Sequence, residues 1–95
     1  MSVVLTATSG RITGTAASGR LRADGKIPAT LYGAGIEAQN LTVVARDLRA
    51  VLHDDHKAII SIEVDGVTHR VVAQEIARAA MGTVTHVDFL TVAEA

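Results

Sequence analysis

The 95-residue sequence predicts a small, mainly β domain with short helices (α+β), an antiparallel-rich barrel whose openings two short helices cover. Three observations carry that expectation. Ile60, Ile62 and Val64 alternate with Ser61 and Glu63 up to an Asp65-Gly66 pair, which is the pattern of a strand entering a two-residue hairpin turn. A second alternation sets Val87 and Phe89 on one face and His86 and Asp88 on the other. Hydrophobic residues make up 48% of the chain but aromatic residues only 2%, so the core must be filled by Val, Ile, Leu and Ala, with Phe89 as its largest anchor. The length suits one domain, residues 1–95.

Taken in order, "VVLTAT" from Val3 is a β-branched run that reads as the opening strand, followed by a loop from Ser9-Gly10 to the Gly14 region. "ASGRLRADGK" can form two helical turns, with Thr15 or Ser18 as cap and Gly25 as a left-handed stop, before Pro28 forces extension. "PATLYG" and "LTVVA" (Leu41 to Ala45) read as strands joined by a Gly-rich loop, Gly33 to Asn40. "RDLRAVLHDD" places Leu48, Val51 and Leu52 on one helical face and turns Arg46 and Arg49 elsewhere. The hairpin "AIISIEVDGVTHRVVAQEI" follows, then a loop "ARAAMG", and the strand "TVTHVDFLTV" ends the domain.

The absence of cysteine removes disulfides and thiolate metal sites and agrees with a reducing compartment, so the cytoplasm is the expected location. "MSVVLTATSGR" has no cationic segment ahead of an apolar one, and no later apolar stretch is long enough to span a bilayer. Neither a signal peptide nor a membrane partner is expected. The net charge of -1 conceals a division: residues 1–26 carry four cations against one acid, and residues 27–95 five cations against nine acids. A positive field therefore belongs to the first block.

Several motifs compete for chemistry. A phosphate-cradling P-loop needs four residues between its first glycine and its Gly-Lys, then a hydroxyl; here five separate Gly19 from Gly25, and Ile27 follows Lys26. "HDDH", His53 to His56, offers four ligand types in a row, but adjacent helical residues point apart and rarely meet on one ion, so no metal is expected. His86 and Asp88 share a strand face and can reach one external object. With Ser18 they could suggest a Ser-His-Asp set, yet no nucleophile elbow accompanies them, and strand neighbours point in parallel rather than bonding as base and orienter. A solvated strand face is the plainer alternative. Tyr32 can pack its ring inward while its hydroxyl reaches out, and Gln74, beside Glu75, can be solvated or read a base edge.

Taken together, "ASGRLRADGKIPATLYG", "VVAQEI" and "HVDFLTV", in this order and with these gaps, resemble the family of the bacterial large-subunit ribosomal protein numbered twenty-five, whose longer members are called general stress protein CTC. The likeness covers nearly the whole chain. It implies a six-stranded barrel-like domain with a few helices that binds 5S rRNA on the minor-groove side of an internal loop, with neither cofactor, small-molecule substrate nor enzymatic activity. The residues implied as RNA contacts are Ser18, Arg20, Arg22, Tyr32, Gln74, His86 and Asp88, with Lys26 and Arg11 as looser candidates. Other components of the large subunit would be its further partners. A wide, shallow A-form minor groove exposes 2′-hydroxyls and base edges to a flat protein face, which a sheet can supply. The sequence departs from the family pattern at Gly19, Thr15 and Ala79-Ala80, where cations or a His-Pro are common. Two rival readings are a barrel module that has lost RNA affinity and binds protein, and a small hydrolase or metal enzyme using His53, His56, His86 and Asp88.

Overall fold

The computed structural model describes residues 4–10, 13–33, 35–54 and 59–92, the side chains of residues 53 and 54 excepted. Eight elements follow one another: β1 (Val4–Ser9), α1 (Thr15–Ala23), β2 (Lys26–Gly33), β3 (Ile36–Val44), α2 (Ala45–Asp54), β4 (Ile60–Val64), β5 (Val67–Arg78) and β6 (Val84–Thr91). The six strands close into a barrel in the order β1-β3-β2-β6-β5-β4. Four of the neighbouring pairs are antiparallel. The other two, β1 with β4 and β2 with β6, are parallel seams.

Alternation builds the core. Leu5 and Ala7 of β1, Leu41 and Val43 of β3, and Ile60, Ile62 and Val64 of β4 all point inward and are buried. Val87 and Phe89 of β6 are fully buried, with Phe89 the largest side chain inside. Each such side chain contributes about 1.5–3 kcal/mol relative to exposure. No polar or charged side chain is buried among the described residues. The hairpin turn is as expected: Asp65 and Gly66 both have positive φ, 51° and 84°, the twist that joins two antiparallel strands tightly. The Ser9 hydroxyl donates to the Asp65 carboxylate and ties the end of β1 to this turn. Pro28 is tolerated inside β2 because pairing with β6 begins one residue later, at Ala29 opposite Val87, so its missing N–H breaks no bond of that seam.

The structure corrects the sequence reading in four places. The Gly-rich loop expected from Gly33 to Asn40 is mostly strand, since β3 starts at Ile36 and pairs Asn40 with Thr30 and Gln39 with Leu31. β5 runs on through Ala77 and Arg78, shortening the loop before β6. The residue capping α1 is Gly14, not Thr15 or Ser18, and no side chain closes that end. Finally, α1 buries no side chain and lies against β2, whereas α2 buries Leu48, Val51 and Leu52 in the core and packs against β3 and β1. Gly25, φ 78°, does stop α1, with its N–H bonded to the Arg22 carbonyl at 3.1 Å and its own carbonyl accepting from the Ala45 N–H at 2.9 Å. That second bond fixes the exit of α1 to the start of α2.

Candidate nucleic-acid interface

The outer face of β2, β6 and β5 gathers Tyr32, Gln74, His86 and Asp88, four of the polar residues that the sequence singles out. Parallel pairing sets Thr30 beside Asp88 and Tyr32 beside Leu90. Antiparallel pairing sets Glu75 beside Asp88 and Ala77 beside His86. Because Leu31, Val87 and Phe89 point into the core, their neighbours Thr30, Tyr32, His86 and Asp88 project from the opposite face. Tyr32 is thus half-buried on the outer face.

His86 is held from both sides. Its Nε2 lies 3.4 Å from Thr30 Oγ1, and its Nδ1 lies 3.3 Å from Asp88 Oδ1. A neutral imidazole protonated at Nδ1 meets both at once, donating to Asp88 and accepting from the Thr30 hydroxyl. The strand neighbours therefore do touch, contrary to the parallel projection expected of them. Both contacts are long for hydrogen bonds and both side chains keep solvent access, 35% for His86 and 27% for Asp88. The arrangement orients these groups while leaving hydrogen-bonding capacity for a ligand, including the second oxygen of Asp88.

A bulge places Gln74. Ala73 pairs with Phe89 and Glu75 with Asp88, so Gln74 is the extra residue on β5, exposed next to Glu75. Along the strand Ala73 and Ile76 pack on the core, which turns the polar pair between them outward. No signal in the sequence marks this extra residue, because a bulge is defined by its partner strand.

The basic segment joins the face at one end. Arg20 and Arg22 occupy the last turn of α1, where cations suit the partial negative charge of a helix C-terminus. Arg22 Nη1 donates to the Thr85 carbonyl at 3.3 Å, one residue from His86. Ser18 and Arg20 lie on α1 without a contact to His86 or Asp88 among the described residues, and Lys26 opens β2 about 20 Å from Tyr32 by strand rise. Arg11 and His56 fall outside the described residues, as does the side chain of His53. Thr30 escaped the sequence reading; only its placement opposite Asp88 across a parallel seam reveals it. Among the described residues, no three His, Asp or Glu side chains stand together as metal ligands, and no helix is long and apolar enough to cross a membrane.

A family model described as the ribosomal L25p family matches residues 5–89, from the first core strand to Phe89. The chain belongs to the ribosomal L25p family. Named relatives agree with that placement. The large ribosomal subunit protein bL25 of Psychromonas ingrahamii is 36% identical over 95 residues, covering 97% of this chain and 47% of its own length. That of Mycobacterium leprae is 40% identical over 82 residues, covering 84% and 38%, and that of Pseudomonas putida strain GB-1 is 38% identical over 82 residues, covering 83% and 42%. The L25p-family chain thus spans less than half the length of each of these relatives. The matched region includes β2, β5 and β6 as far as Phe89, and with them Thr30, Gln74, His86 and Asp88.

Proposed function

We propose that this L25p-family chain is a non-enzymatic component of the large ribosomal subunit in the cytoplasm and that it binds 5S rRNA. In this reading, residues 1–95 act as one RNA-binding domain that lays the outer face of β2, β6 and β5 on the minor-groove side of an RNA internal loop. The observation that carries it is the junction at Thr85: a cationic helix end meets, through Arg22, a face on which Thr30, His86 and Asp88 are lined up as donors and acceptors. Cations alone would hold phosphates without reading anything. A carboxylate among them accepts from base amines or 2′-hydroxyls, which is a reader's role. Arg20 and Arg22 bind phosphates, Tyr32 offers its half-exposed ring and hydroxyl, Gln74 reads an edge, and Ser18, Lys26 and Arg11 add backbone contacts.

Filter binding with purified 5S rRNA at two salt concentrations tests the reading. Saturable binding that weakens with salt and exceeds binding to an unrelated duplex is expected, and co-sedimentation of the protein with the large subunit should accompany it. Equal retention of any duplex, or none of either, would refute it.

A further inference from the structure

Beyond the sheet face, a groove runs between α2 and the connection from β5 to β6. It consists of two contiguous concavities of about 590 and 350 Å³ that share Arg49, Arg78 and Val84. Arg22, Lys26, Arg49 and Arg78 all line the smaller one, although they come from four different elements, and no carboxylate does so among the described residues. Residues 27–95 are acidic as a whole, yet two of their five cations are delivered here, to the side where the cationic first block ends. The chain's positive field is therefore wider than the first block, and the fold, not the local sequence, assembles it.

The groove is shaped as well as charged. Arg78 Nη1 donates to the Gly82 carbonyl at 3.2 Å, and the Gly82 N–H donates to the Ala79 carbonyl at 2.8 Å, so the connection and the guanidinium brace each other. Arg22 is braced in turn on the Thr85 carbonyl. Each guanidinium keeps most of its five donors for a ligand. Lys26 and Arg49 have no polar partner among the described residues, and Thr83 adds a hydroxyl to the lining. Asp47, the acid nearest in sequence to Arg49, shares a different concavity with Lys26, on the side of Thr6 and Thr42.

We infer that this groove is a second phosphate-binding site, which seats phosphodiester groups of an RNA strand running off the outer face past Thr85. The inference rests on the proposed RNA reading and extends its footprint from the sheet to α2. Continuity favours a nucleic-acid strand over an acidic protein: Arg22 touches Thr85 of β6 and lines the groove, so one polyanion leaving the outer face at Thr85 meets Arg22 and then Arg78. Forked guanidinium donors match phosphate oxygens in pairs. Arg49 is the decisive residue, because it stands on α2, outside every element assigned to the sheet face.

The test uses Arg49→Glu, with Arg49→Lys as the variant that keeps the charge; both sit at an exposed position and leave the core intact. Binding of a 5S rRNA fragment is titrated between 50 and 200 mM salt. One lost phosphate contact lowers the log–log salt slope by about 0.7–0.9, so the affinity ratio across that range shrinks about threefold in Arg49→Glu, while Arg49→Lys keeps the wild-type slope. An unchanged slope in Arg49→Glu, with Asp88→Asn still weakening binding, overturns the groove and leaves the sheet-face reading standing. In a second arm, nuclear magnetic resonance follows the Gly82 and Thr83 amides and the Arg78 Nε–H as a six-nucleotide uridine oligonucleotide is added. Shifts at these positions, absent in Arg49→Glu, are expected even if 5S rRNA itself does not bind, an outcome that would refute the proposed function alone. Equal shifts on adding a polyglutamate peptide of the same charge would make the groove a protein contact and refute the inference.

Discussion

Replacing Asp88 by Asn separates recognition from charge attraction, because the two predict opposite signs. Asp88 Oδ1 is engaged by His86 Nδ1 at 3.3 Å, and an asparagine oxygen can retain that contact. What changes is the other carboxylate oxygen, replaced by an NH₂ group. If a base amine or 2′-hydroxyl donates to that position, the substitution sets donor against donor and leaves polar groups unpaired, at about 1–3 kcal/mol. The opposing term is the removal of a negative charge from beside RNA phosphates. For one phosphate roughly 10 Å away in water this is only about 0.4 kcal/mol, and salt screens it further. The unpaired donor wins, and affinity should fall about 5- to 150-fold despite the more positive protein. Fluorescence anisotropy with a 5S rRNA fragment at fixed salt and magnesium measures the change, with circular dichroism confirming the barrel. Equal or tighter binding by Asp88→Asn would reduce the face to an ordinary solvated strand.

Arg20→Ala should weaken binding to any duplex RNA and flatten the salt slope by about 0.7–0.9, since its place at the end of α1 suits a backbone contact; loss confined to one RNA sequence would contradict that role. Phe89→Ala, which empties the largest fully buried site, should lower unfolding stability by about 3–5 kcal/mol in urea, and a loss under 1 kcal/mol would mean the core packs differently. A Cβ at Gly33, whose φ is 155°, would collide with Thr91 Oγ1 and crowd Thr91 Cβ at 3.0 Å, so Gly33→Ala should destabilise by about 1–3 kcal/mol. Thr91→Ala in the same chain should recover part of that loss, and no recovery would place the strain elsewhere.

The elements legible in the sequence were those with strong local signals. The alternation of Ile60, Ile62 and Val64, the Asp65-Gly66 turn and the Val87/Phe89 face are properties of a few consecutive residues, and the structure repeats them. Gly33 and Gly35 make the stretch from Gly33 to Asn40 read as a Gly-rich loop; pairing of residues 36–40 with β2 overrides that local signal, though Glu, Ala, Gln and Asn are weak strand formers. The same division holds at the interface. His86 and Asp88 stood out by their spacing, and Arg22 by the charge of its block. Thr30, the outward turn at Gln74 and Glu75, and the meeting of Arg49 with Arg78 depend on which strands and helices become neighbours. Local pattern can place a residue on a face, but only topology says which face it shares.

The parallel seam between β2 and β6 has a consequence for the timing of assembly. β2 with β3, and β4 through β6, are runs of antiparallel neighbours joined by short connections, whereas Thr30 and Asp88 meet across nearly sixty residues of chain. Closing so long a span is entropically slow, so such contacts tend to form after the local hairpins. The histidine clasped between Thr30 and Asp88 straddles this seam, and therefore no hairpin alone can present it. On the proposed reading, competence to bind RNA is a property of the closed cylinder and should vanish whenever the seam opens, even if both halves stay folded. A ligand gripping both sides of the seam would act as a clasp, and amide hydrogens from Ala29 to Tyr32 and from Val87 to Leu90 would record its arrival as slowed exchange with solvent.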